Sequence, residues 1–381
     1  MEKPVSSVVP RRMVAAIALA TLLNPLNSSM IAVALVPIQA EFRASVGDAA
    51  WLIAGFYIAG AVGQPLMGRL ADQLGPRRIF LTGLVLAGVA GTLAPFAPSI
   101  VWLAWLRVLQ AIGTSAAYPS GMAMLRARVA PGSRAGTPPA GALAALSIVG
   151  NISAAVGPTL GGALVEVAGW QAIFLVNVPA SVLGMLFALR WLQADQSKAP
   201  AGLFRSIVGL IDLPGVAVFS FALGSLLAFL LSLSTGPRWV LLPVAPISAV
   251  LLVWWELRAR MLFLNVRMLA SGRGLMGVYV QFTTVNLLFY SVFFSLPLWL
   301  EKVRGVGPGE TGLIVMPLTG VGVLATVVAA RLTRRWGPRP PLALGPRCSA
   351  LGLCSSSSCS WSHRWPASWS LWPCSGCPMA C

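Results

Sequence analysis

The sequence predicts an all-α membrane protein, and three observations carry that expectation. Apolar residues make up 57% of the 381 residues and charged ones only 10%, at a mean hydropathy of +0.81; a soluble domain has roughly 25% charged residues. Ten stretches approach the roughly 20 apolar residues that a spanning helix needs, separated by short charged or Gly/Pro-rich segments. The basic residues also alternate from loop to loop as a threaded chain requires.

Helices are expected near 13–36, 50–67, 79–95, 101–124, 140–165, 172–192, 209–232, 239–255, 275–300 and 311–330. With the N-terminus and the even-numbered loops on the inside, that side collects twenty Lys and Arg residues, from Lys3 to Arg339. The odd loops hold only Arg43, Arg238, Lys302 and Arg304. The first helix follows Pro10-Arg11-Arg12 directly and is longer than a signal-peptide core, so it reads as an uncleaved start signal. A net charge of +17 would raise nucleic acid as a partner of a soluble chain. Here the cations are scattered singly between apolar spans, and the lipid bilayer explains them better.

Helix 1 places Asn24, Asn27, Ser28 and Ile31 on one face, a polar stripe suited either to substrate or to hydrogen bonds between helices. Between helices 2 and 3 lies Gly68-Arg69-Leu70-Ala71-Asp72-Gln73-Leu74-Gly75-Pro76-Arg77-Arg78, expected as a tight surface loop in which Asp72 caps free N–H groups or pairs with Arg77 and Arg78. Arg107 is the lone charge of helix 4, where a central position costs about 2.5–3.5 kcal/mol on insertion scales. Arg107, Gln110, Thr114 and Tyr118 recur at spacings of three and four. The resulting stripe favours an arginine facing the bundle interior over one snorkelling to the interface. Gly150, Gly157, Gly161 and Gly162 with Pro158 let another helix approach helix 5 closely. Helix 9 sets Tyr279, Gln281, Asn286 and Tyr290 among Phe282, Phe289, Phe293 and Phe294, an aromatic wall suited to a bulky lipophilic ligand or simply to packing. No span carries a carboxylate near its middle; Asp212 sits at a helix edge. Nothing in the spans offers a nucleophile with its base, a metal cluster or a cofactor motif, so neither an enzyme nor a metal centre is expected.

Residues 330–339 match 68–77 at five of ten positions, and both copies follow an apolar span on the inside. Parallel repeats of this kind build many transporters.

With these features in hand, the chain resembles the major facilitator superfamily, in particular its fourteen-helix drug:proton antiporter branch. The resemblance rests on four motifs in order. The loop motif matches at Gly68, Leu70, Ala71, Asp72, Gly75 and Arg77, with Gln73 and Pro76 as departures. Leu103-x-x-x-Arg107-x-x-Gln110-x-x-Gly113 is similar to the helix 4 motif, with Ala111 where glycine is usual. Gly157-Pro158-x-x-Gly161-Gly162 resembles the antiporter motif of helix 5, and Gly169-Trp170-x-x-x-Phe174-x-x-Asn177-x-Pro179 the segment that opens helix 6. Asp212-Leu213-Pro214-Gly215 and the run from Glu256 to Leu269 look like the extra helix pair between the two halves of that branch.

The resemblance implies a major facilitator-type bundle: a six-helix half over 1–192, an extra helix pair over 193–258 and the start of a second half over 259–345. It implies a secondary transporter of the cytoplasmic membrane, exporting drugs or other small lipophilic compounds by proton-coupled alternating access. Gly68, Leu70, Asp72, Gly75, Arg77 and Arg78 would form a conformational latch. Arg107, Gln110, Thr114, Asn24 and Asn27 would line the path of proton and substrate, and Gly157, Pro158, Gly161 and Gly162 would form the helix 5 hinge and seal. Where the branch carries an aspartate in helix 1 this chain has Asn27, which cannot titrate, so a specific metabolite exporter or a uniporter stands as the alternative.

From Pro346 the composition changes. All six cysteines, Cys348 to Cys381, lie there with ten serines, four tryptophans and the single histidine, His363. The Cys374-x-x-Cys377 pair lacks a second pair for a metal site, and the mixture reads as an out-of-frame, unstructured tail of a truncated and inactive transporter; a non-transporting membrane remnant is the third reading. Translating the gene in its other frames past residue 345 should give an unbroken leucine-rich continuation, and its absence would reject the frame shift.

Overall fold

The computed structural model describes residues 10–128, 140–195, 212–233, 236, 238–258, 273–317 and single positions between 320 and 331. The repeat at 330–339 and the tail from 346 lie outside the described residues, Arg331 apart. What is described is helical, with no strand. The helices α1 (Arg11–Phe42), α2 (Val46–Leu74), α3 (Pro76–Phe96), α4 (Ile100–Arg126), α5 (Ala140–Ala168), α6 (Ala172–Trp191), α8 (Leu241–Arg258) and α9 (Arg273–Arg304) are long and apolar enough to cross a membrane. Helix α7 (Leu213–Ser232) has its apolar stretch at Pro214–Leu230, and α10 is helical over 308–317.

Three helices are broken by the same local chemistry. In α1 regular helix lapses at Leu22, in α4 at Ala116 and in α6 at Val176. Each lapse lies three residues before a proline, Pro25, Pro119 and Pro179. A proline has no N–H for the carbonyl four residues back and its ring crowds that carbonyl, which here belongs to Thr21, Ser115 and Leu175. At the α1 break the Ser153 hydroxyl of α5 donates to the Leu22 carbonyl at 2.7 Å. By contrast α5 runs unbroken through Pro158.

One expectation is corrected at the 68–78 stretch, which is not a loop. Helix α2 continues through Gly68 to Leu74, and only Gly75, at φ +103°, makes the turn into α3. At 29 residues α2 is roughly 43 Å long, well beyond a hydrocarbon core of about 30 Å. Its last turns therefore project into water, where Asp72 and Gln73 are exposed while Leu70, Ala71 and Leu74 pack inward. The second correction concerns Asp72 itself, which has no hydrogen bond or ion pair among the described residues. Asp195, just beyond α6, takes the expected role. Its carboxylate accepts from the backbone N–H groups of Arg77 and Arg78, both at 3.0 Å, and lies 3.9 Å from Arg78 Nε. The first turn of a helix exposes N–H groups without partners, and a carboxylate from a distant segment satisfies two of them here.

Helix α1 packs against α5, α2 against α4, and α3 against both α4 and α6; α7 pairs with α8 and also touches α2. Asp212 caps α7 through the Gly215 N–H at 3.0 Å and accepts from Trp255 Nε1 of α8 at 3.0 Å, which ties the α7–α8 hairpin. Two apolar clusters fill the bundle. One, with Met13, Ile17, Phe80, Leu84 and Leu125, lies toward the end that carries the α2–α3 turn. The other, with Met30, Ile31, Leu35, Leu103 and Phe174, lies toward the opposite end. Large apolar side chains such as Trp105, Leu186 and Phe282 cover the outside, as a bilayer requires.

Replacing Asp195 by Ala is expected to cost about 1–2 kcal/mol, the usual worth of a lost helix cap, and to lower the melting temperature in detergent. Asp72→Ala should leave it unchanged. The opposite pattern would contradict the Asp195 cap.

Candidate functional site: a buried polar layer

Between the two apolar clusters lies a layer of polar side chains contributed by α1, α4 and α6. Arg107 is 2% exposed, Gln110 1%, Asn27 2% and Asn177 0%. Arg107 donates from Nη1 and Nη2 to the Asn27 carbonyl at 3.4 and 3.5 Å, from Nε to the Leu52 carbonyl at 3.5 Å, and from Nη1 to Gln110 Oε1 at 3.2 Å. Its guanidinium lies 4.4 Å from the centre of the Phe56 ring and 5.8 Å from that of Phe174. No carboxylate pairs with it among the described residues. A desolvated cation on an aromatic face gains about 2 kcal/mol, and the carbonyls of Asn27 and Leu52 add acceptors around it. The structure thus places Arg107 inside the bundle rather than at the interface.

Asn27 and Asn177 exchange amide hydrogen bonds of 2.6 and 2.8 Å, and Gln110 Nε2 donates to Asn27 Oδ1 at 3.4 Å. Toward the α2–α3 turn, Asn24 Nδ2 donates to Thr114 Oγ1 at 3.1 Å. The stripes expected on helices 1 and 4 therefore meet each other. Tyr118 departs from its stripe: the break at Ala116 rotates it away, and it is 49% exposed. Asn177 was visible as the one amide of an apolar span, but only the fold pairs it with Asn27.

The glycines of helix 5 meet neighbouring helices closely. A Cβ on Gly157 would strike the Ser29 side chain, and one on Gly161 would lie 3.0 Å from Met30 Cα. Gly162 faces Pro308 and Gly309 at the start of α10, and Gly312 of α10 sits 3.0 Å from Thr159 Cα by the same measure. Thr159 Oγ1 donates to the Gly312 carbonyl at 3.0 Å. These contacts bring α1, α5 and α10 backbone to backbone toward the end opposite the α2–α3 turn.

The aromatic wall of helix 9 is only partly assembled. Tyr290 and Phe294 lie against Tyr57 of α2, at 5.6 and 6.4 Å between ring centres, and Phe293 is buried against Ala32 and Val315. Tyr279 and Phe282 are exposed, 49% and 67%, and lie on the outside of the described bundle. A different apolar groove of about 680 Å³ runs along the outer face of α2 and α4, between Trp51, Val62, Trp105 and Ile112, and reaches Ser220 of α7.

The helical bundle agrees with what sequence comparison finds. The family model described as Major Facilitator Superfamily matches residues 17–381. The chain belongs to this superfamily. It is 39% identical over 330 residues to an uncharacterized MFS-type transporter of Bacillus subtilis, YwoD, covering 87% of this chain and 71% of that one. A tetracenomycin C resistance and export protein of Streptomyces glaucescens is 29% identical over 357 residues (90% and 62%). The multidrug resistance protein Stp of Mycobacterium tuberculosis is 28% identical over 339 residues (86% and 60%). The chain thus spans less than two thirds of the length of these last two relatives. Among solved structures, a peptide transporter POT in complex with sulfate superposes with a TM-score of 0.58 at 14% identity, covering 86% of this chain and 70% of that one, which speaks for the fold.

Gly161→Val should overpack α5 against α1, costing about 1–3 kcal/mol, and lower the melting temperature. Gly141→Val, whose added carbon meets nothing within 4 Å, serves as the control. Equal melting of the two variants would contradict the close contact.

Proposed function

We propose that this superfamily member is a secondary transporter that exports small lipophilic compounds by alternating access, driven by a proton gradient. The observation that carries the proposal is the pairing of a buried Arg107, with no counter-ion among the described residues, with a glycine-lined helix contact toward one end of the bundle. A cation held by carbonyl dipoles and rings is retained at a cost, which fits a working group better than a structural one. A closure made of glycines facing backbone is a contact that parts without unravelling side chains.

In this reading the α2–α3 turn and the N-terminus lie on the cytoplasmic side of the cytoplasmic membrane. The chain divides into a six-helix half (1–192), the α7–α8 pair (193–258) and the start of a second half (259–345). Arg107, Gln110, Thr114, Asn24 and Asn27 lie on the path of proton and substrate; Asp72, exposed at the cytoplasmic end, is free to latch onto the second half in the other state. Two relatives whose names speak of drug resistance or export support the substrate class, and so does the apolar groove, which is open sideways to compounds dissolved in the bilayer. Asn27 favours a second reading, a uniporter, because it sits in an amide pair where no proton can be taken up.

Efflux of a lipophilic cationic dye from proteoliposomes, with and without an imposed proton gradient, separates the two. Gradient-driven accumulation is expected, and Arg107→Ala should reduce it at least tenfold. Flux indifferent to the gradient would favour the uniporter, and no flux would reject both.

A further inference from the structure

Among the described residues the polar layer holds no acid, but α9 does. Glu301 lies on the α9 face that packs into the bundle: it follows Phe294 by seven residues, Pro297 by four and Leu298 by three, spacings that keep one helix face. Phe294 and Leu298 pack on the apolar cluster that contains Met30, Leu35, Ile38 and Trp170. Both carboxyl oxygens of Glu301 are shielded from solvent and make no hydrogen bond among the described residues. The charged groups of the neighbouring helices do not compensate it. Glu41 and Arg43 of α1, Asp48 of α2, Glu166 of α5, Lys302 and Arg304 of α9 and Glu310 of α10 are all exposed, and Arg107 is bound to the carbonyls of Asn27 and Leu52. Gln39 Nε2, Trp170 Nε1 and Thr311 Oγ1 are also buried without partners near this end. Unmet polar groups from α1, α9, α10 and the α5–α6 turn gather where the glycine contacts close the bundle.

A carboxylate stripped of water, donors and counter-ions is strongly disfavoured against its protonated form. We propose that Glu301 is the proton-binding carboxyl of the transport cycle. It holds its proton while the α1–α5–α9–α10 end is closed and releases it to water when α9 and α10 part from α1 and α5. The assignment rests on the proton-coupled reading above. It supplies the titrating group that Asn27 cannot be, at the end of the bundle where closure controls access to water. Sequence alone hides it, since Trp299-Leu300-Glu301-Lys302 reads as the charged rim of a helix.

Two measurements on the full chain test it. In proteoliposomes Glu301→Gln should keep equilibrium dye exchange within about twofold and lose gradient-driven accumulation at least tenfold, with Glu301→Asp restoring part of it. Gradient-driven accumulation retained in Glu301→Gln would overturn the assignment. The second measurement does not depend on transport. A hydrophobic carbodiimide, which reacts with protonated carboxyls in apolar surroundings, should label Glu301 of the wild-type chain near neutral pH, read by peptide mass spectrometry, and less at alkaline pH. Absence of label at Glu301, with or without dye flux, would overturn the assignment. Labelling in a chain without gradient-driven flux would keep the buried proton and reject the coupled cycle instead.

Discussion

Arg107 organises this bundle because a guanidinium in a low-dielectric interior has to be surrounded. Its partners are drawn from three other helices: the Asn27 carbonyl of α1, the Leu52 carbonyl and Phe56 ring of α2, and the Phe174 ring of α6. No carboxylate supplies the counter-charge among the described residues, so the cation depends on dipoles and aromatic faces whose value falls quickly with distance. That dependence ties the four helices to one another at a single depth, between two apolar clusters that would otherwise merge.

The backbone around this layer is shaped by residues that remove hydrogen bonds and side chains. Pro25, Pro119 and Pro179 interrupt α1, α4 and α6, while Gly157, Gly161 and Gly162 bring α5 against α1 and α10. The two devices act at different places. The breaks leave helical segments that can tilt relative to each other; the glycines make a flat contact that a single added carbon would disturb. A bundle built this way has a polar layer fixed by many partners and, at one end, a contact made by close packing and the Thr159–Gly312 hydrogen bond.

Much of this was legible in the sequence, and the parts that were not have physical reasons. The helical class and the order of the helices follow from apolar length; among the described residues eight helices are long and apolar enough to span. The stripes of helices 1 and 4 were readable as periodicity, and they do meet, because a buried amide or guanidinium must find a partner. Tyr118 left its stripe because periodicity assumes an unbroken helix and Pro119 breaks it. The 68–78 stretch reads as a loop if charge is equated with the helix end, whereas a long helix carries charge on turns that project past the bilayer. Asp195 and Glu301 were invisible for another reason: which carboxylate caps α3, and whether the Glu301 carboxyl is shielded from solvent, depends on contacts between segments more than a hundred residues apart in the first case and on the packing of one helix face in the second.

The central claim is that the glycine-lined end opens and closes. It is tested most directly by spin labels at Val167→Cys on α5 and Glu310→Cys on α10, both exposed, with the six tail cysteines replaced by serine. The distance distribution measured in lipid should show a short population that gives way to a longer one as pH or substrate is changed. A single short distance, indifferent to both, would contradict alternating access in this chain.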